Sequence, residues 1–526
     1  MRADDGSRDW RMRARAQLPR GVVRVVTRDD AAEDPALPTG YVPSRLLVST
    51  LLPDDHPARE ELAALVKELG WELRREKRRR DAVLEEPPEV TKERLERYPW
   101  AAGSPGIEVL QLVATPGAPT PDAWEVLRLA RSRGVELPGV GLAHVGHLAP
   151  FHSTNPFHST NPFHSTNPFH STNPFHSTNP YGGGGTPAVE YGLAGSGGRQ
   201  VVAVVGPDPA SVVPRPRGEA VVGILDTGCG EHPWLDPVVD RASTFAALGR
   251  TDAASDPERA PDQLGPLEGM LDDGSWHGTF VAGLVHQSAP HARIVPVRIA
   301  GSDGLWEEQE LVDALAGLVA RVEGGERLDV LNLSLGYYHE TPERGQFDIT
   351  VAELLLRLRR AGTVVVCSAG NDATDRPLFP AAYGLWEPEP AEGAPWIDPG
   401  DGAPLVSVGA LNPNGTVALF SNVGPWVQVF APGAAVVSTV PAGPAGGPFA
   451  GGIQATAAVP AYGLRRETID PDDFSGGFAV WSGTSFAAPV VAGLIAAELQ
   501  ADAAEPSVER SRAVVEAVLA RLRDDS

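Results

Sequence analysis

The chain has 526 residues, 42% of them apolar and 21% charged, with a formal net charge of −24. That length exceeds one compact core, so two or more units are expected. The acidic balance speaks against a general binder of nucleic acid or anionic membrane, and no uninterrupted apolar run is long enough to span a bilayer.

Residues 1–40 are polar, charged and rich in Pro and Gly, and are expected to be poorly ordered. No apolar signal core follows the charged stretch Met1–Trp10. Two cysteines, Cys229 and Cys367, make no disulfide framework, so a reducing compartment is allowed. The simplest expectation is a cytoplasmic protein, with export by another route left open.

Residues 41–148 read as a small α+β domain. Arg45–Leu51 has strand character. Pro57–Leu69 predicts a helix with Leu62, Leu65, Val66 and Leu69 on one face and Gly70 as its stop. Trp71 to about Lys77 predicts a second strand, followed by a charged, Pro-containing stretch. Ile107–Val113 predicts a third strand, Thr120-Pro121-Asp122 starts a helix that ends near Gly134, and Leu137–Leu148 holds a fourth strand. The order β-α-β-β-α-β is that of a ferredoxin-like sandwich. The basic run Arg74–Arg80 is either a solvated strand or loop, a docking patch or a cleavage site.

Residues 149–200 hold five copies of Phe-His-Ser-Thr-Asn-Pro, from Phe151 to Pro180, and then Tyr181 with four glycines. Proline in every sixth place argues for a flexible or extended tether. The alternative is a metal-binding tract using His152, His158, His164, His170 and His176, although six-residue spacing is not that of a helical ligand pair.

From residue 201 to 526 apolar strands alternate with helical stretches. Strands are predicted at Ala220–Leu225, Ile294–Ile299, Val330–Leu335 and Thr363–Cys367, and helices around 276–287, 307–323 and 348–361. In the second helix Leu311, Leu315, Leu318, Val319 and Val322 form one stripe. The alternation predicts an α/β domain with a doubly wound parallel sheet, whose ligand sites collect beyond the C-terminal strand ends.

Three residues, Asp226, His277 and Asn371, fall at such ends, and Ser485 joins them from a segment near the C-terminus. Asp226 closes a strand, where an Asp-Thr-Gly turn is the bland alternative. His277 opens a helix as a base, a cap or a core histidine. Asn371 follows a strand as an amide donor or a turn residue. Ser485 lies between small residues ahead of the apolar run Val490–Leu499, at a helix N-terminus whose free N–H groups favour negative charge. Together they supply what an activated serine needs: a base, an orienting carboxylate and oxyanion donors.

The segments Gly223–Gly228, His277–Gly283, Asn332–Gly336, Ser368–Asn371, Phe420–Gly424 and Gly483–Pro489, in that order, resemble the subtilisin-like serine peptidases. The resemblance covers about residues 218–500. It implies a serine endopeptidase with Asp226, His277 and Ser485 as triad, Asn371 as oxyanion donor, and Ser334, Leu335 and Gly336 as an edge that binds peptide backbone like an added strand. Phe280 stands where the family often has a second, non-catalytic histidine, and Tyr337-Tyr338 stand where small residues are usual. Residues 434–475 read as a surface insertion near the nucleophile, and Trp306 as the lining of an apolar subsite. No cofactor is required for the chemistry. The family often binds calcium, but no EF-hand-type loop is present and no calcium or other metal ligand is assigned.

The expected partners are a protein or peptide substrate and, within the chain, the N-terminal domain, since members of the family commonly carry a β-α-β-β-α-β prodomain that inhibits through its C-terminal tail. The tether then carries the maturation site. The alternative is a latent peptidase whose retained N-terminal domain senses a partner or ligand and releases activity.

Overall fold

The computed structural model describes residues 24–25, 39–76, 84, 88–148, 199–202, 205–264, 271–340, 349–384, 401–442, 457–459, 464–466, 474, 476–501, 503–504 and 506–524. The five repeats, most of residues 1–40, Lys77–Arg80 of the basic run and much of 434–475 lie outside these.

The N-terminal unit runs β1 (Gly40–Ser49), α1 (Pro57–Glu68), β2 (Trp71–Arg75), α2 (Pro88–Arg97), β3 (Ile107–Ala114), α3 (Ala123–Ser132) and β4 (Val140–His147). Its sheet has the order β2-β3-β1-β4 with every neighbouring pair antiparallel. This is the ferredoxin-like arrangement, with α2 added where the sequence shows only a charged stretch. Arg94 is the buried residue of α2, donating to the carbonyls of Ala101 at 2.9 Å and Gly103 at 2.7 Å, so no apolar stripe announces that helix. Helix α3 starts where Asp122 accepts from the Trp124 N–H at 3.1 Å, an N-cap that satisfies one of the free donors of the first turn.

Strand β1 shows why this unit does not stand alone. Its alternate side chains face opposite ways. Leu46 and Val48 join Leu62, Val66 and Val126 in a core between the sheet and its own helices. Leu47 belongs with Val109, Ala143 and Val145 to a second core that includes Leu311, Leu315 and Leu355 of the following unit. A strand buried on both faces needs a continuous apolar run, which is what Leu46-Leu47-Val48 supplies.

The second unit contains β5 (Val221–Asp226), α4 (His277–Ser288), β6 (Arg293–Arg298), β7 (Leu305–Glu307), α5 (Glu308–Glu323), β8 (Val330–Leu333), α6 (Ile349–Arg360), β9 (Val364–Ser368), β10 (Leu405–Leu411), β11 (Val429–Pro432), β12 (Val436–Thr439), β13 (Phe478–Trp481), α7 (Thr484–Leu499) and α8 (Val508–Asp524). Six strands form a parallel sheet of order β11-β10-β9-β8-β5-β6. The chain leaves β5 for the edge strand β6 and returns on the other side to β8, which creates a crevice at the C-terminal ends of β5 and β8. Strands β10 and β11 extend the sheet beyond the four read from sequence. Ser407 and Gly409 break the β-branched run of β10, and Pro432 ends β11, which weakens their local signal.

Helix α7 is apolar on nearly every side and is buried against α4 and strands β8 to β11. The structure also joins the two units edge to edge. Strand β4 pairs antiparallel with β7, with Val145 opposite Glu307, Gly146 opposite Trp306 and His147 opposite Leu305.

Candidate active site

Asp226 is the last residue of β5 and fully buried. Its carboxylate accepts from the Thr227 N–H at 2.7 Å, and both its oxygens lie against His277 Nδ1, at 2.8 and 2.9 Å. Pairing at Nδ1 leaves Nε2 as the nitrogen available to a further partner. His277 opens α4 directly after Trp276, whose backbone is left-handed at φ 67°, a turn that aims the imidazole back at the strand end. The rings of Trp481 and Phe486 flank it, with centroids at 5.6 and 5.2 Å.

A second carboxylate stands behind this pair. Glu258 accepts from Thr227 Oγ1 and from Thr279 Oγ1, each at 2.5 Å, while Thr227 Oγ1 takes the Gly278 N–H at 2.8 Å. Burial pushes the Glu258 carboxyl up to about 7, against the pull of the two hydroxyls. Glu258 sits in an irregular segment with no motif around it, so only its contacts reveal it.

Ser485 is the second residue of α7, in the turn where backbone N–H groups lack helical partners. Pro489 lies four residues on and has no N–H, so the Ser485 carbonyl is released from the helix ladder. Ser334 Oγ fills that vacancy, donating to the Ser485 carbonyl at 2.7 Å while accepting from Asn332 Nδ2 at 2.9 Å. Asn371 is oriented by the same turn. Its Oδ1 accepts from the Thr484 N–H at 2.7 Å and the Thr484 hydroxyl at 2.8 Å, which leaves Nδ2 to donate elsewhere.

The crevice thus gathers Asp226, His277, Asn371, Ser485 and the Ser334–Gly336 edge. One expected contact is different. Among the described residues no hydrogen bond joins His277 to Ser485. Ser485 Oγ instead donates to the carbonyls of Leu148 at 3.2 Å and Ser334 at 3.3 Å. The crevice also holds an occupant. The end of β4 enters the crevice as a strand between two edges. His147 exchanges hydrogen bonds with Gly336, N–H to carbonyl at 3.1 Å and the reverse at 3.3 Å, and the Leu148 N–H donates to the Gly304 carbonyl at 2.9 Å. The sequence placed one of these edges, Ser334-Leu335-Gly336. Of the other, Gly304-Leu305-Trp306, it named only Trp306, as the lining of an apolar subsite.

Beside this strand, His144 is fully buried between two carboxylates, with Nδ1 2.7 Å from Glu308 and Nε2 2.9 Å from Glu340. Burial disfavours its charge, but Glu308 and Glu340 outweigh burial and hold the imidazolium well above the ordinary histidine range.

The fold and this crevice define an α/β protein with a serine set at a helix N-terminus beside a carboxylate–imidazole pair. Residues 217–521 match the model of the subtilase family, peptidase family S8, and the chain belongs to that family. It is 25% identical over 315 residues to an intracellular serine protease of Paenibacillus polymyxa, covering 56% of this chain and 72% of that one. It is 27% identical over 308 residues to an extracellular protease of Xanthomonas campestris, covering 52% and 43%. A thermophilic serine proteinase of Bacillus sp. is 28% identical over 276 residues, and the match spans 51% of its length. Among solved structures, fervidolysin of Fervidobacterium pennivorans matches 88% of this chain and 55% of its own at 19% identity and a TM-score of 0.43. No helix among the described residues is long and apolar enough to cross a membrane.

Proposed function

We propose that this chain is a serine endopeptidase that hydrolyses peptide bonds through an acyl-enzyme, and that its N-terminal unit holds it as a self-inhibited precursor. The observation that carries the reading is the Leu148 carbonyl resting against Ser485 Oγ at 3.2 Å, at the end of a strand hydrogen-bonded on both sides. A substrate in that seat presents its carbonyl to the nucleophile. His277 takes the Ser485 proton on Nε2 as Oγ attacks the carbonyl carbon, and Asp226 at Nδ1 stabilises the imidazolium. Asn371 Nδ2 and the Ser485 N–H donate to the oxyanion. His277 then protonates the leaving amine, and water releases the acyl group. No cofactor enters these steps, and calcium ligands are not assigned.

In this reading 41–148 is the inhibitory unit, 201–526 the peptidase unit, and the tether 149–200 carries the self-cleavage site. Further support for the docked arrangement comes from ion pairs between the units, Arg45 with Glu307 at 2.8 Å and Arg360 with Glu93 at 2.9 Å. A cytoplasmic setting belongs to the proposal and is compatible with two free cysteines whose thiols are pushed up by burial.

The test is Ser485→Ala. Wild type is expected to react with a fluorophosphonate probe and to show by intact mass a cut between residues 149 and 200. The variant is expected to do neither, and undiminished cleavage by it refutes the proposal. A wild-type chain that labels only after a partner or ligand is added, and stays full length, favours the second reading, a retained N-terminal unit that acts as a sensor. The seated tail is the observation behind that alternative.

A further inference from the structure

Glu258 gives no proton and no donor to the reaction set out above, yet both its oxygens are directed at the supports of the reacting groups. Thr227 follows Asp226 in the turn after β5, and Thr279 lies two residues after His277 in α4. The two threonines tie these elements together reciprocally. Thr227 Oγ1 accepts from the Gly278 N–H of α4 at 2.8 Å, and Thr279 Oγ1 accepts from the Gly230 N–H of the turn at 2.7 Å. Each hydroxyl then has one hydrogen left to give. Both go to Glu258, from Thr227 to Oε1 and from Thr279 to Oε2, each at 2.5 Å.

The Thr227 hydroxyl has a second acceptor in reach. Asp226 Oδ1 lies 3.2 Å from Thr227 Oγ1, against 2.5 Å for Glu258. That oxygen already accepts from the Thr227 N–H at 2.7 Å and faces His277 Nδ1 at 2.8 Å. A hydroxyl turned onto it would add a third donor, disperse its charge and compete with the imidazole. Glu258 draws that hydrogen away. Only a carboxylate can do so while serving both threonines, because its two oxygens only accept. A carboxylic acid or an amide must donate on one side, and one hydroxyl then has to turn.

We infer that Glu258 is a positioning residue for the acyl transfer, acting through the Thr227 hydroxyl to keep the Asp226 carboxylate free for His277. The inference rests on the endopeptidase reading above and adds to it a residue that touches neither substrate nor the reacting atoms. The charged surroundings set when this support is complete. Burial pushes the Glu258 carboxyl up to about 7 against the pull of the two hydroxyls, with Asp256 in its own segment and Asp226 at the end of β5 adding to the push. Arg298 of β6 lies 3.8 Å from Asp256, burial pushes the Cys229 thiol up to about 12, and α4 contributes His277, paired with Asp226 at 2.8 Å. Above about pH 7 both oxygens of Glu258 accept, and below it one of them carries a proton.

The experiment compares the self-processed wild-type enzyme with Glu258→Gln, which keeps the shape and has one acceptor in place of two. Labelling by a fluorophosphonate probe separates a maximal rate from a half-saturating concentration. At pH 9 the maximal rate is expected to fall on the order of tenfold, with the half-saturating concentration unchanged within about twofold and kcat/KM on dye-labelled casein reduced by the same factor. At pH 6, where Glu258 is itself protonated, the two proteins are expected to label within about twofold of one another. Loss of fold would not produce a defect confined to high pH, and thermal unfolding of the same samples reports folding directly. Thr227→Val removes the hydroxyl, so in that background Glu258→Gln is expected to change the labelling rate by less than about threefold. Equal labelling of wild type and Glu258→Gln at pH 9, a defect equal at both pH values, or a tenfold defect that survives in Thr227→Val overturns the positioning role alone. A wild-type chain that neither labels nor cuts casein overturns the endopeptidase reading, and the positioning role with it.

Discussion

Replacing His144 by glutamine tests how the crevice is kept occupied. Both ring nitrogens of His144 face carboxylate oxygens, at 2.7 Å from Glu308 on α5 and 2.9 Å from Glu340 in the segment after β8. A neutral imidazole has one N–H and cannot donate to both, so this geometry holds an imidazolium. The surrounding groups are His339, 3.3 Å from Glu340, the Tyr337 ring at 5.2 Å, Arg131 of α3, 3.4 Å from Glu340, and Arg376, which also feels the Glu340 charge. Removing one member of a buried ion pair costs about 3–5 kcal/mol. Arg131 and His339 remain beside Glu340, so the lower end applies, about 3 kcal/mol, or on the order of 10²-fold in the equilibrium for lifting β4 from its seat. The sign with pH follows from the raised value. In the undocked strand His144 titrates near its ordinary value, and in the docked one well above it. Its contribution to docking is therefore complete below about pH 6.5 and lost as pH climbs through the raised value. The assay is amide hydrogen exchange of Val140–Leu148 in the full chain carrying Ser485→Ala, at pH 6 and pH 9, corrected for the intrinsic rate. The parent is expected to lose protection at pH 9, and His144→Gln to be weakly protected at both. Equal protection of parent and variant, or protection in the parent that does not change with pH, refutes the reasoning.

Two further changes probe the support behind the reacting groups. Ser334→Ala strips the Ser485 carbonyl of the donor that Pro489 cannot supply, and an unsatisfied buried carbonyl costs about 1–3 kcal/mol. Thermal unfolding is expected to shift down by several degrees, and an unchanged Tm contradicts the role assigned to Ser334. For Glu258, ionisation is disfavoured in the folded state up to about pH 7 and free in the unfolded chain above its ordinary 4.5. The carboxyl therefore subtracts stability as pH rises through that window, to a limit on the order of 3 kcal/mol. Glu258→Gln is expected to raise Tm relative to wild type at pH 8 and much less at pH 5. A gain equal at both pH values would show that Glu258 is not neutral at low pH in the folded protein.

What could be read in the sequence follows a physical pattern. Asp226, His277, Asn371 and Ser485 sit at the ends of elements, and element ends carry local signals: a strand stopped by Asp-Thr-Gly, a helix opened after Trp276, an apolar run after Gly483-Thr484-Ser485. The parallel sheet was legible where its strands are β-branched, as in Val364-Val365-Val366, and illegible at β10, where serine and glycine interrupt the run. Helix α2 had no apolar stripe to find, because its buried contact is an arginine. Pairing between distant strands leaves no local trace at all. Nothing around Val145 says that it will lie opposite Glu307, 162 positions away, since period-2 alternation fixes which face a residue takes and not which edge it joins. One signal was nonetheless present: His144 is a titratable residue in the apolar body of a strand, Val140-Gly141-Leu142-Ala143-His144-Val145, ahead of its end at Gly146-His147. A buried strand tolerates such a residue only if it is paired. Its partners Glu308 and Glu340 lie on the unit that carries Ser485, so the polar residue in β4 marks where that strand docks.

The three roles of Val140–Leu148 then constrain one another. Leu142 and Ala143 face the two cores, His144 fixes the strand to the second unit by charge, and Gly146 lets it pass under Trp306 so that Leu148 reaches Ser485. Moving the strand by one residue would turn the core residues to the wrong face, carry the imidazolium away from Glu308 and Glu340, and bring His147 or Val145 against the indole. Register is thus specified three times over, by burial, by charge and by volume. A substrate peptide has no sheet behind it and no counterpart of His144 locked between two carboxylates. It meets only the last of these constraints, at Trp306, so in the proposed precursor the docked tail is held in the crevice more firmly than a free peptide.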